Sequence, residues 1–286
     1  MEPPPLRSGD LRPIPASQAL GFCAILAVGW PGGSPQGAPQ ISRPLGSQRS
    51  TRSRMRLDSS EVANSLRRTG ARALFHANSV ATACTFLSQG ALLSRGTVED
   101  RGLPQTSQPS DPLDKKHKIW RDIFLDAVDI HDRIARRNLY GPVLFVFHME
   151  ALEHTPVTAA WITRKNPTKW KTGEPRALRF FRSTTEFAET YTLGDFDSMI
   201  VLRDVVGILP LKGNLSHVLV DDPGQLTFPH GKVEPLPGAL KALRAAARDG
   251  GLRYLRIRVR KCSTYCGCHA DYNTYPFRTR SIYDAT

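Results

Sequence analysis

No apolar run in this 286-residue chain is long enough to cross a membrane. The longest, Ala19 to Trp30, has 12 residues, against the ~20 that a helical span needs. Arg7 and Arg12 precede it with Asp10 between them, and no clean small-x-small cleavage motif follows before the Pro/Gly-rich stretch. A secretory leader is therefore not expected. Cysteine is scarce and odd in number, five residues in all, which excludes a disulfide framework and fits a reducing, cytoplasmic setting. Cys23 and Cys84 stand alone in apolar surroundings. Also missing are a Walker loop, a glycine fingerprint after a strand, a nucleophile elbow and a paired-histidine zinc helix. Their absence removes P-loop, Rossmann, hydrolase-elbow and zincin chemistry from consideration. There is no internal repeat. Lysine is absent from the first 70 residues, where nine arginines stand among Pro, Gly and Ser. Such a stretch cannot bury enough apolar surface to offset its chain entropy, so residues 1–70 are expected to form a disordered basic arm.

What is present is ordinary globular material, 40% hydrophobic, enough for a core. The 39 Lys+Arg against 26 Asp+Glu leave a formal charge of +13, which favours phosphate-rich partners and says nothing about fold. Ala73 to Phe75 reads as a short strand. Asn78 or Ser79 caps a helix in which Val80, Ala83, Cys84 and Leu87 recur at helical spacing until Gly90, which places Cys84 in the core. Residues 102–118 form a long polar loop, and residues 119–138 look helical in pieces. Pro142 to Phe147 is a continuous apolar run, the mark of a strand covered on both faces. Further strands are expected at 159–163, 199–202, 217–220 and 254–260, the last with an outward basic face. A capping box opens a helix at Ser183, and another helix runs over 239–248. The sum is an α+β domain over residues 71–261, followed by a Cys-containing tail at 262–286.

Polar residues at strand ends and loop starts are where sites are usually built. His76 and Asn78 stand after the first strand. Asp126, Asp129, His131, Asp132 and Arg133 crowd eight residues ahead of the central strand. Asp195 and Asp197 lie in a turn just before the strand at 199–202, a pattern that suits an Asp-rich turn as well as a catalytic pair. Arg179-Phe180-Phe181-Arg182 and Asn166 to Lys171 mix aromatics with cations, a composition suited to base contact. Cys262, Cys266, Cys268 and His269 gather in eight residues, but their spacing matches no standard zinc knuckle. A disulfide or free thiols are favoured there. Zinc, if bound, would pin the tail without doing chemistry, so no metal ligand is assigned.

His76-Ala77-Asn78-Ser79, Leu92-Leu93-Ser94-Arg95 and Arg101-Gly102-Leu103-Pro104 resemble the N-terminal third of DarT-type ADP-ribosyltransferase toxins, which transfer ADP-ribose from NAD to thymidine bases of single-stranded DNA. The resemblance implies an ADP-ribosyltransferase-like mixed fold with two small packed sheets and an NAD cleft between them. It implies that His76 and Asn78 hold the nicotinamide ribose or amide and that the loop over 96–118 covers the cofactor. It also implies an arginine on the NAD phosphates, Arg121 or Arg133, with Asp129 beside it. Asp197 falls where the family's catalytic acid belongs, one methylene shorter than the usual Glu, with His76 as its catalytic companion. Release of nicotinamide would accompany transfer to DNA, RNA or protein, with an antitoxin as a further partner. Two alternatives stay open: a tRNA 2'-phosphotransferase-like enzyme on the same fold, and a non-enzymatic basic nucleic-acid-binding module with a structural zinc site.

Overall fold

The computed structural model of the chain describes residues 55–133, 137–262 and 265–285. Most of the expected basic arm, with Cys23 and the Ala19–Trp30 run, lies outside the described residues.

The first described elements already belong to the domain. Strand β1 (Leu57–Asp58) leads into helix α1 (Ser59–Arg68), whose first turn is capped by Asp58 accepting from the Ser60 and Glu61 N–H groups. Val62, Ala63 and Leu66 of α1 are fully buried in the main core. The arm expected to reach residue 70 therefore gives way to structure by residue 57. The physical reason is an amphipathic stripe, Val62 to Leu66, within an otherwise polar window.

Strand β2 (Leu74–Asn78) extends through both His76 and Asn78. Ser79 caps α2 (Val80–Ser88), and β3 (Ala91–Leu93) follows. Ser94 caps α3 (Arg95–Asp100), and α4 (Asp111–Lys116) sits within the long polar loop. The described residues of 119–138, expected to be helical in pieces, hold strand β4 (Ile123–Leu125) and the short α5 (Ile130–Arg133). Tertiary pairing overrides a weak local helical pattern there. The wholly buried β5 (Val143–Phe147) and β6 (Ala159–Ile162) come next. They precede α6 (Arg176–Arg179), α7 (Thr184–Thr190), β7 (Ile200–Leu202), β8 (Ile208–Pro210) and β9 (Leu215–Asp221). The chain closes with β10 (Leu226–Phe228), β11 (Gly231–Val233), α8 (Leu236–Asp249), β12 (Ile257–Arg260), α9 (Gly267–Thr274) and α10 (Pro276–Tyr283).

The architecture is mixed α+β with several small sheets. One sheet has the order β1-β6-β7-β4 and a second β12-β9-β5-β2, while β3 pairs with β8 and β10 with β11. Pairing is antiparallel throughout except between β9 and β12. That parallel pair needs a crossover connection, and α8 supplies it. Helix α2 packs on α8, and its Phe86 lies 5.9 Å from Phe145 of the second sheet, ring centre to ring centre. Burial of each such side chain stabilises the fold by roughly 1.5–3 kcal/mol.

Residues 265–285 hold two helices packed on the domain. Tyr272 and Tyr283 are buried, and their hydroxyls donate to the Asp221 carboxylate at 3.1 Å and the Asp221 carbonyl at 2.7 Å. These bonds dock α9 and α10 on the end of β9. Among the described residues no helix is long and apolar enough to cross a membrane.

Candidate functional site

The two four-stranded sheets meet at one point, a bridge between Phe75 of β2 and Asp126 just past β4. Beside that bridge lies a cleft lined by residues of both sheets, with about 1030 Å³ of empty space that runs into open solvent. Its floor is β2, its walls come from α3, α4 and β4, and its rim includes Tyr140 and Asn166.

His76 stands on the floor. Its Nδ1 lies 2.9 Å from the Phe124 carbonyl oxygen, an arrangement in which the ring donates across the split between the sheets. Nε2 is then the acceptor, and the Asn78 amide reaches it at 3.4 Å. The Asn78 Oδ1 in turn accepts from the Ser79 N–H at 3.0 Å and from Gln108 at 3.3 Å, which orients the amide. Burial lowers the His76 pKa to about 4; the Phe124 carbonyl opposes this and the Arg95 charge adds to it. The imidazole is neutral at physiological pH.

Arg95 is the cation of the cleft wall. It forms a two-pronged pair with Asp111, Nε to Oδ1 at 2.6 Å and Nη2 to Oδ2 at 2.7 Å, and donates to the Thr106 carbonyl at 2.9 Å. Its guanidinium lies 5.3 Å from the centre of the Trp120 ring. Asp114, on α4, also lines the cleft, and burial raises its pKa to about 6, with a Ser110 hydrogen bond opposing. No ion pair engages Asp114 among the described residues. The Tyr140 phenol is held above its ordinary range by burial, with the Asp114 and Asp126 charges adding to the effect. Asp122 is raised to about 7 by burial, against the pull of Arg203 at 3.1 Å.

The remaining residues expected here are placed elsewhere. Arg121 points away from the cleft and pairs with Asp100 at 2.9 Å on an exposed flank. The side chain of Arg133 lies outside the described residues. Asp129 faces the other side of the second sheet, where it pairs with Arg260 at 2.6 Å. Asp197 does not line the cleft. Its carboxylate takes the Lys169 ammonium at 2.6 Å and the Asn166 N–H at 3.1 Å. Burial works against its ionisation, but these donors hold it below the usual carboxylate range. Asp197 thus anchors the loop that contributes Asn166, Pro167 and Thr168 to the rim. Asp195 completes an Asp-rich turn by accepting from the Asp197 N–H and the Ser198 hydroxyl.

The two aromatic-basic loops do not present stacking platforms. Phe180, Phe181 and Trp170 are buried, with Phe180 in edge contact with both Trp161 and Trp170. Arg179 covers Trp170 at 4.9 Å. Desolvating three aromatic rings outweighs any base contact they would make as exposed groups. Cys84 packs half-buried on the core, and burial raises its thiol to about 11.

Behind the second sheet, Cys262, Cys266 and Cys268 converge as the sequence suggested, but their histidine is His131, not His269. One ligating atom from each of these four residues falls within 4.8 Å of all the others. The sequence concealed this because 131 positions separate His131 from Cys262. Arg95 and Asp114 were equally hidden, the first as one residue of a helix start and the second inside a Pro/Asp-rich loop.

No family model, no curated protein and no solved structure matches this chain.

Proposed function

We propose that the cleft binds NAD and that the protein transfers ADP-ribose from it, on an ADP-ribosyltransferase-like scaffold. The observation that carries this reading is the pairing of a neutral His76 with Asn78 on one strand, at the point where two small sheets part. An imidazole Nε2 acceptor beside an amide donor suits the hydroxyl groups of a ribose and the carboxamide of nicotinamide. Trp120, Phe124 and Phe86 give the cleft apolar surface for the pyridine ring.

In the reaction the glycosidic C–N bond of NAD breaks and its electron pair leaves with nicotinamide. The ribose passes through an oxocarbenium-like state, and a nucleophile on the acceptor bonds to C1′ and gives up its proton. A carboxylate within the cleft stabilises that positive charge. Asp197 is committed to Lys169 and Asp122 to Arg203; of the cleft carboxylates Asp114 and Asp126 we assign the role to Asp114, beside Tyr140. Arg95 stands within electrostatic reach of both His76 and Asp114, with its own charge balanced by Asp111.

Nucleic acid is the acceptor class the surface favours. Arg253, Arg256 and Arg258 are exposed at the edge strand β12, next to a Tyr254 that is 98% exposed. Cations interleaved with an aromatic suit a phosphate track with base stacking. The same strip, with the Cys/His cluster, supports a second reading as a non-enzymatic nucleic-acid-binding module. Incubating the chain with labelled NAD and single-stranded DNA, RNA or protein separates the two. Transfer that is lost in Asp114→Asn and retained in Asp197→Asn supports the enzyme. Salt-dependent nucleic-acid binding with no nicotinamide release supports the module.

A further inference from the structure

We propose that His131, Cys262, Cys266 and Cys268 bind one Zn²⁺ ion, and that this ion ties the C-terminal helices to the segment that walls the cleft. The four residues arrive from three elements: His131 from α5, Cys262 just after β12, and Cys266 and Cys268 from the start of α9. His131 Nε2 lies 3.2 Å from the Cys262 sulfur and 3.8 Å from that of Cys266, and the Cys266 and Cys268 sulfurs are 3.1 Å apart. Tetrahedral zinc with Zn–S near 2.3 Å and Zn–N near 2.0 Å sets its ligands roughly 3.5–3.8 Å from one another. The observed separations bracket that range.

The chemistry of the set selects the metal. Three thiolates and one imidazole form a soft, closed, four-ligand shell, which suits zinc in a structural role and leaves no coordination position for a substrate. All four cysteines among the described residues are free of disulfides, and three of them are in this one cluster. The His131 ring is fixed from one side only: Nδ1 is buried without a hydrogen-bond partner, while Nε2 faces the sulfurs. Around the ligands, the Asp129 carboxylate accepts the His131 N–H at 2.9 Å and pairs with Arg260, which also reaches Asp221 at 2.9 Å. Such outer contacts hold a ligand's backbone in place. Three thiolates and a divalent cation leave a net charge of −1, with Arg260 and Lys261 beside it.

The consequence is mechanical. Asp129 and His131 face the cluster side, while Val128 and Ile130, alternating with them, line the cleft. Zinc binding closes a loop of more than a hundred residues and anchors this segment from its His131 face. Removal of the ion releases α9 together with one wall of the cleft.

The test is metal analysis of the full chain purified under reducing conditions, with cobalt replacement and thiol titration beside it. One zinc per chain is expected, with a cobalt spectrum of tetrahedral thiolate type. Cys262, Cys266 and Cys268 should be shielded from thiol reagents until a chelator is added. Cys266→Ser and His131→Ala should lose most of the metal and melt roughly 10 °C lower, whereas Cys84→Ser should keep it. Should the ligand variants fail to fold, chelation of the wild-type chain with recovery on adding Zn²⁺ gives the same answer. Substoichiometric zinc with freely reactive thiols, a disulfide within the cluster, or iron and sulfide in place of zinc would overturn the assignment.

Discussion

Ile130 and His131 are adjacent in the chain yet serve different cavities: Ile130 lines the cleft between the sheets, and His131 meets the thiols of Cys262 and Cys266 behind them. Among the described residues, the segment that carries them has a single turn of helix. What fixes it is therefore its contacts on either side. Hydrogen exchange should show this directly. On zinc removal, amides of residues 126–131 and 265–275 should lose protection together while β5 stays protected. Faster exchange confined to 265–275 would contradict the link.

Gly141 meets the backbone of the site. Its φ is +142°, and a β-carbon there would lie 2.2 Å from the Asn78 carbonyl. Rigid backbone cannot yield as a side chain does. Gly141→Ala should destabilise the fold by at least about 2 kcal/mol, or displace Asn78 and abolish ligand binding in a folded protein. Denaturant melts and NAD titration distinguish these effects, and a variant indistinguishable from wild type in both would refute the contact.

Arg95 and Arg67 make a matched comparison, since both hold carboxylates with short bonds. The Arg95–Asp111 pair is 14% and 17% exposed at its side chains, whereas Arg67 is 33% exposed beside Glu150 and Glu153. Removing one partner of a buried pair strands the other, at a cost of about 3 kcal/mol, while a more exposed pair contributes ~1 kcal/mol or less. Arg95→Met should therefore lower stability to urea far more than Arg67→Met.

Acid should weaken the protein through His76. Burial depresses its pKa to about 4 from an ordinary 6.5, so between those values the unfolded chain binds a proton that the folded chain refuses. Its contribution is fully present above pH 6.5 and is lost as the pH falls toward 4, amounting to at most about 3 kcal/mol. Comparing urea midpoints for wild type and His76→Gln from pH 7 to pH 4 measures this, and the variant should show a flatter profile. Parallel profiles would mean that the histidine titrates normally.

Strong local patterns in the sequence were legible in physical terms. The unbroken apolar run of Val143 to Phe147 is the fully buried central strand β5, and the Ser183 cap does start α7. What escaped notice depended on distant pairing. Strand β4 is only three residues long and owes its existence to β7, and β3 to β8. His76 and Asn78, expected after the first strand, lie within β2 and line the cleft. Asp197 is harder to read, because an acidic turn before a strand is the same string of residues whether it catalyses or anchors a loop. Only the position of Lys169 tells the two apart. His131 stands in sequence among carboxylates, yet its contacts are sulfurs from the far end of the chain.

The most direct measurement is nicotinamide release from NAD by the purified, zinc-loaded chain, followed alongside His76→Ala. The account predicts release by the wild type, stimulated by single-stranded nucleic acid, and a loss of at least a hundredfold in the variant. No release above background from a folded wild-type chain, with no rise in its melting temperature at millimolar NAD, would contradict it.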